Sequence, residues 1–79
     1  MQITVNYYAQ FADLTGRQSE TLDINHSSPR LVYEALKAKY DLPLAFDAIQ
    51  VAVNHKLSQH NADLSENDLI AFLPPMTGG

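Results

Sequence analysis

The chain has 79 residues, a formal net charge of −4, five Lys and Arg, and no cysteine. A domain this small buries only roughly 60% of the surface that its unfolded chain exposes, so one domain with a thin core is expected. The missing cysteine excludes disulfides, thiolate metal sites and cysteine nucleophiles together. The scarcity of cations argues against nucleic acid and anionic membrane surfaces as partners. No apolar run approaches the roughly 20 residues needed to span a bilayer. The start, Met1 to Asn6, lacks the basic and apolar regions of a signal peptide, so the expected location is the cytoplasm.

In chain order, Ile3, Val5 and Tyr7 alternate with Gln2, Thr4 and Asn6, which predicts a half-buried strand over 2–8. Phe11 and Leu14 stand three apart ahead of Gly16, which suits a helix C-terminus, and predict one short helical stretch. Leu22 and Ile24 then alternate with Thr21 and Asp23, a second strand over 18–24 paired with the first. Ser28-Pro29 has the chemistry of a helix start: a hydroxyl for an orphan N–H, then a proline that needs no donor of its own. Val32, Ala35, Leu36 and Tyr40 form the expected apolar stripe, with Arg30, Glu34, Lys37 and Lys39 in water and Pro43 closing the helix region. Val51 and Val53 predict a third strand over 50–54, Asn54-His55 a turn, and Lys56-Leu57-Ser58 a short edge strand. After a polar turn over 65–68, the continuous apolar run Leu69 to Leu73 predicts a central strand buried on both faces. Pro74 and Pro75 end its ladder. One main helix across one face of a mixed sheet is an α+β arrangement, with the last strand beside the first. The body covers 1–73 and an extended tail covers 74–79.

The ordinary sources of chemistry are thin. His26, His55 and His60 fall in loops or turns without metal-ligand spacing, and Asp63, Glu66 and Asp68 lack the glycine and terminal glutamate of a calcium loop. Two of the three glycines are the last two residues, which leaves no glycine loop to cradle a phosphate. No metal site, no cofactor bound by this chain and no self-contained active site are expected.

The terminus is different. Six extended residues reach about 20 Å, enough to thread a partner's active site. Glycine lets the main chain pass a narrow channel and delivers the terminal carboxylate bare. A carboxylate acylates poorly until its oxygen becomes a leaving group. A partner that attaches AMP from ATP would achieve this, and a sulfur nucleophile could then displace AMP to leave a thiocarboxylate. From the residues alone, this working terminus and a frayed tail that ends in glycine both stay open.

The ending Phe72-Leu73-Pro74-Pro75-Met76-Thr77-Gly78-Gly79 resembles the Phe-Phe-Pro-Pro-Val-Thr-Gly-Gly ending of the molybdopterin synthase small subunits, a sulfur-carrier family. Val5 with Tyr7-Tyr8-Ala9-Gln10, then Gly16, Val51-Ala52-Val53-Asn54, Leu57 and Asp68 extend the likeness over nearly the whole chain. The resemblance implies the β-grasp fold shared with ubiquitin. It implies that an adenylating enzyme of the ubiquitin-activating type uses ATP on Gly79, which then becomes a thiocarboxylate. The tail would enter the large synthase subunit and give its sulfur to cyclic pyranopterin monophosphate, within a complex of two small and two large subunits. This chain would be a non-catalytic subunit and co-substrate. Gly79 would carry the sulfur, Gly78 would permit close approach, and Pro74, Pro75, Met76 and Thr77 would shape the threaded tail. Tyr8, Leu57 and Leu73 match apolar docking positions, with core packing the other reading for Tyr8 and Leu57. Ala12 stands where a basic residue occurs in the family, Leu73 replaces an aromatic and Met76 a valine. Carriers for thiamine synthesis, tRNA thiolation or protein conjugation share these features, and a ubiquitin-like interaction domain without covalent chemistry is a further reading.

Overall fold

The alternation of β-branched and aromatic residues with polar ones does produce the first strand, β1 (Gln2–Tyr7), and a short helix α1 (Gln10–Thr15) follows it. Then come β2 (Ser19–Asp23), the main helix α2 (Pro29–Tyr40), a 3-10 turn (Phe46–Ala48), β3 (Gln50–Val53), β4 (Lys56–Ser58) and β5 (Leu69–Leu73). This computed structural model describes residues 1–25 and 27–75. The readings placed on His26, Met76, Thr77, Gly78 and Gly79 lie outside the described residues.

The sheet order is β2-β1-β5-β3-β4. β1 runs antiparallel to β2, with Ile3 opposite Leu22, and parallel to β5, with Val5 opposite Ile70. β5 is antiparallel to β3, with Val51 opposite Phe72. The last strand is therefore central and beside the first, as the sequence predicts.

α2 begins as its sequence requires: Ser28 Oγ accepts from the Leu31 N–H at 3.4 Å, and Pro29 takes the first helical position. Its end differs from expectation. Asp41 adopts a left-handed conformation at φ 55° and sends its N–H to the Lys37 carbonyl, so the helix ends at Tyr40, three residues before Pro43. The buried stripe differs as well. It is Pro29, Val32, Tyr33 and Leu36, the i, i+3, i+4, i+7 pattern of one helix face, whereas Ala35 is exposed.

That stripe covers Ile3, Val5 and Tyr7 of β1, Val51 of β3, and Ile70 and Phe72 of β5. Tyr33 lies at the middle, 0% exposed, with its ring against Phe11, Phe46 and Phe72. Its hydroxyl donates to the Leu44 carbonyl at 2.7 Å, and burial raises its pKa. β5 corrects a second expectation. Only Ile70 and Phe72 are buried, while Leu69, Ala71 and Leu73 point to the opposite face and are half-buried. One main helix covers one face, so an apolar run of five residues leaves three on the other.

A polar network closes the core at its edge. Glu20 on β2 points to the helix side, and its side chain is only 6% exposed. The Tyr7 and Tyr40 hydroxyls donate to its Oε1, the latter at 2.7 Å, and Lys39 Nζ donates to Oε2 at 3.1 Å. Burial alone would push this carboxyl up, but the hydrogen bonds from Tyr7, Tyr40 and Lys39 outweigh it and hold the pKa below the ordinary value. Burial, then the Glu20 carboxylate, push the Tyr7 hydroxyl well above the tyrosine range.

A carboxyl with a depressed folded pKa stabilises fully above its unfolded pKa and loses that contribution as pH falls through the folded one. Glu20→Gln is therefore expected to be less stable than the parent by about 1–3 kcal/mol at pH 7. That gap should narrow as the pH is lowered below the ordinary carboxylate range. Urea unfolding followed at several pH values checks this, and a gap that stays constant with pH would contradict it.

Candidate functional site

Side chains alternate across a strand, so the register fixes what lies on the uncovered face of the sheet. Asn6 faces Ala71, Ala71 faces Ala52, and Ala52 faces Leu57, a row that crosses four strands. Ser19 extends the row on β2, opposite Asn6. The next row towards the start of β5 holds Thr21, Thr4 and Leu69. The face is thus divided: polar over β2 and β1, apolar over β5, β3 and β4.

The predicted docking residues fall on the apolar part. Tyr8 is 47% exposed and Leu57 is 69% exposed, so neither belongs to the core. Leu73, the last residue of β5, is half-buried at the root of the tail. Tyr8 and Leu73 line one hollow of about 230 Å³ together with Asn6, Ala52, His55, Leu69 and Ala71. Leu57 joins this surface through its register with Ala52. Pro74 and Pro75 border a separate depression against Asp47 and Gln50. Met76, Thr77, Gly78 and Gly79 lie outside the described residues.

Two backbone features shape this surface. Ala9 takes φ 50°, ψ −126°, a conformation that costs a non-glycine residue about 1–3 kcal/mol. It forms the corner between β1 and α1, directly after Tyr8. On the far side of Tyr8 a second hollow opens against Ala12, Gln18 and Ser19, so Tyr8 stands as a ridge between two depressions. The other feature is the β3–β4 turn. Asn54 and His55 both have positive φ, 53° and 71°, as a two-residue hairpin turn requires. Asn54 ties this turn to β5: its Nδ2 donates to Asp68 Oδ1 at 2.9 Å, and its Oδ1 accepts from the Leu69 N–H at 2.9 Å.

His55 is a lining residue that the sequence reading assigned only to a turn. The available signal was its identity, because glycine is the usual second residue of such a turn and a side chain there projects from it. The lining of the hollow holds no acid, lysine or arginine. Arg17 and Lys39 are engaged by Glu20, and Arg30 pairs with Asp47 at 2.9 Å. His60 lies under Phe46, with its Nε2 3.0 Å from the Ile49 carbonyl, a packing role. Among the described residues, no three His, Cys, Asp or Glu side chains could jointly hold a metal ion. No helix there is long and apolar enough to cross a membrane.

A five-stranded mixed sheet with one main helix on one face, and a tail leaving its central strand, is the ubiquitin-like β-grasp arrangement. The chain belongs to the ThiS family, whose model matches residues 5–79. It is 32% identical over 80 residues to the molybdopterin synthase sulfur carrier subunit of Haemophilus influenzae, covering 98% of this chain and 99% of that protein. SAMP1 from Haloferax volcanii has the same fold at a TM-score of 0.80, with 20% identity over all of both chains. A chain from the complex of subunits 1 and 2 of molybdopterin-converting factor of Helicobacter pylori matches at a TM-score of 0.69, with 22% identity over all of both chains.

Proposed function

We propose that this chain is the sulfur carrier subunit of a molybdopterin synthase and that its reactive group is the carboxylate of Gly79. An adenylating enzyme of the ubiquitin-activating type joins that carboxylate to the α-phosphorus of ATP and releases pyrophosphate. A sulfur nucleophile then attacks the acyl carbon, AMP departs, and Gly79 is left as a thiocarboxylate. Docked on the large synthase subunit through Tyr8, Leu57 and Leu73, the carrier threads 74–79 into that subunit's site. There its sulfur bonds to cyclic pyranopterin monophosphate, water cleaves the bond between that sulfur and the acyl carbon to regenerate the Gly79 carboxylate, and the carrier is charged again. The chain supplies the cargo-bearing atom and the docking face, while ATP belongs to the activating enzyme. The cytoplasm is the compartment in which this reading places it.

One observation carries the reading: the likeness to a named sulfur carrier subunit covers 98% of this chain and 99% of that protein, and the family match runs on to Gly79. The apolar face beside the root of the tail supports it, since an exposed apolar surface of this kind marks a protein-interaction site. The test is intact-mass measurement after incubation with the cognate activating enzyme, ATP and a sulfur donor. The expected result is exchange of one oxygen for sulfur, located at Gly79 by fragmentation. An unchanged mass with a demonstrably active enzyme would overturn the proposal.

A further inference from the structure

We propose that the hollow over Ala52 and Ala71 is a socket for one protruding apolar side chain of the large subunit, of leucine, methionine or phenylalanine size. The inference rests on the synthase reading above and adds to it the group that the carrier recognises.

The hollow exists because two methyl groups meet where larger side chains surround them. Ala52 and Ala71 are cross-strand partners on neighbouring strands. Asn6 and Leu57 flank them in the same row, and Leu69 and Leu73 stand on either side of Ala71 along β5. The resulting volume of about 230 Å³ exceeds the roughly 150 Å³ of a cavity that takes a benzene ring. It therefore admits one bulky side chain and not a helix or a strand.

The lining specifies the occupant. Its floor is Ala52, Leu69, Ala71 and Leu73, and none of its residues is an acid, a lysine or an arginine. An uncharged apolar group fits, because a buried charge would find no counterion there. Asn6, Tyr8 and His55 stand at the rim, where their polar atoms suit the backbone beside the inserted group. The place of the hollow specifies the partner. Leu73 is both a wall of the hollow and the last residue before the tail. Six residues span at most about 20 Å, so the protein that receives Gly79 comes within that distance of the hollow. The socket is also preformed: its floor is on β3 and β5, and Asn54 fastens the adjoining turn to β5.

Filling the socket separates this proposal from a flat apolar contact. Alanine is disfavoured in strands, so Ala71→Leu is expected to keep or raise the melting temperature. Its affinity for the large subunit, measured by titration calorimetry, is expected to fall roughly 100-fold. Ala71→Ser adds a hydroxyl without filling the space and should lose far less affinity than the leucine variant. Ala52→Leu fills the same space from β3 and should repeat the loss, which covers the case of an Ala71→Leu chain that fails to fold. If a folded leucine variant binds as tightly as the parent, or more tightly because it offers more apolar area, the socket is wrong while the synthase reading stands. If the parent chain does not bind the large subunit at all, the synthase reading falls and the socket falls with it.

Discussion

A chain ending at Gly78 is expected to transfer no sulfur, to bind the large subunit within a few-fold of the parent, and to melt at the same temperature. The three outcomes have one cause. Among the described residues the buried core runs from Ile3 to Phe72, and a glycine has no side chain to add to it. The proposed docking residues Tyr8, Leu57 and Leu73 precede the tail and are untouched by the truncation. The new carboxylate nevertheless stops one residue short, about 3.5 Å from where the reaction occurs. A displacement of about 1 Å already costs on the order of 100-fold in rate when geometry sets the barrier. Single-turnover assay of the charged carrier with cyclic pyranopterin monophosphate measures the loss. A truncated chain that transfers sulfur at the parental rate would remove Gly79 from the chemistry.

Tyr33→Ala is expected to leave the chain without a cooperative unfolding transition. The ring is 0% exposed, and its centroid lies 6.1 Å from Phe11, 5.4 Å from Phe46 and 5.2 Å from Phe72. Truncating a buried aromatic costs about 3–5 kcal/mol. A domain of fewer than 80 residues holds a total of about 3–5 kcal/mol, so the loss is of the same size as the whole stability. Tyr33→Phe separates packing from hydrogen bonding. It keeps the ring and leaves the Leu44 carbonyl without its partner, at a cost of about 1–3 kcal/mol. Urea titration by circular dichroism should show a lowered midpoint with an unchanged slope for the phenylalanine variant and no transition for the alanine one. A parental midpoint in Tyr33→Ala would contradict the central place given to this residue.

Tyr33 also shows where sequence reading stops. The helix, its serine cap and its proline were legible, because each is a local signal. The spacing of four runs through Val32, Leu36 and Tyr40 and passes over Tyr33, which is apolar in its ring and polar at its tip. Glu20 was missed for a different reason. Its partners Tyr7 and Tyr40 lie 13 and 20 residues away, and an acid in an alternating strand reads as wet until those positions are known to converge. For β5, the central placement was legible from its unbroken apolar run. Which face the helix would cover was not, since that depends on the number of layers in the fold. The exposure of Tyr8 and Leu57 on the uncovered face agrees with the positions that family likeness pointed to. The Ala52–Ala71 hollow was not legible, because it appears only when the register sets two distant alanines side by side.

The central position of β5 has a mechanical consequence. A partner that grips the terminus and pulls applies its load along this strand, which is bonded to β1 on one side and β3 on the other. Traction in that direction shears both ladders at once instead of peeling away an edge, so the load is shared over many bonds. The sheet therefore resists such traction as one unit, and the rest of the molecule keeps its shape under it.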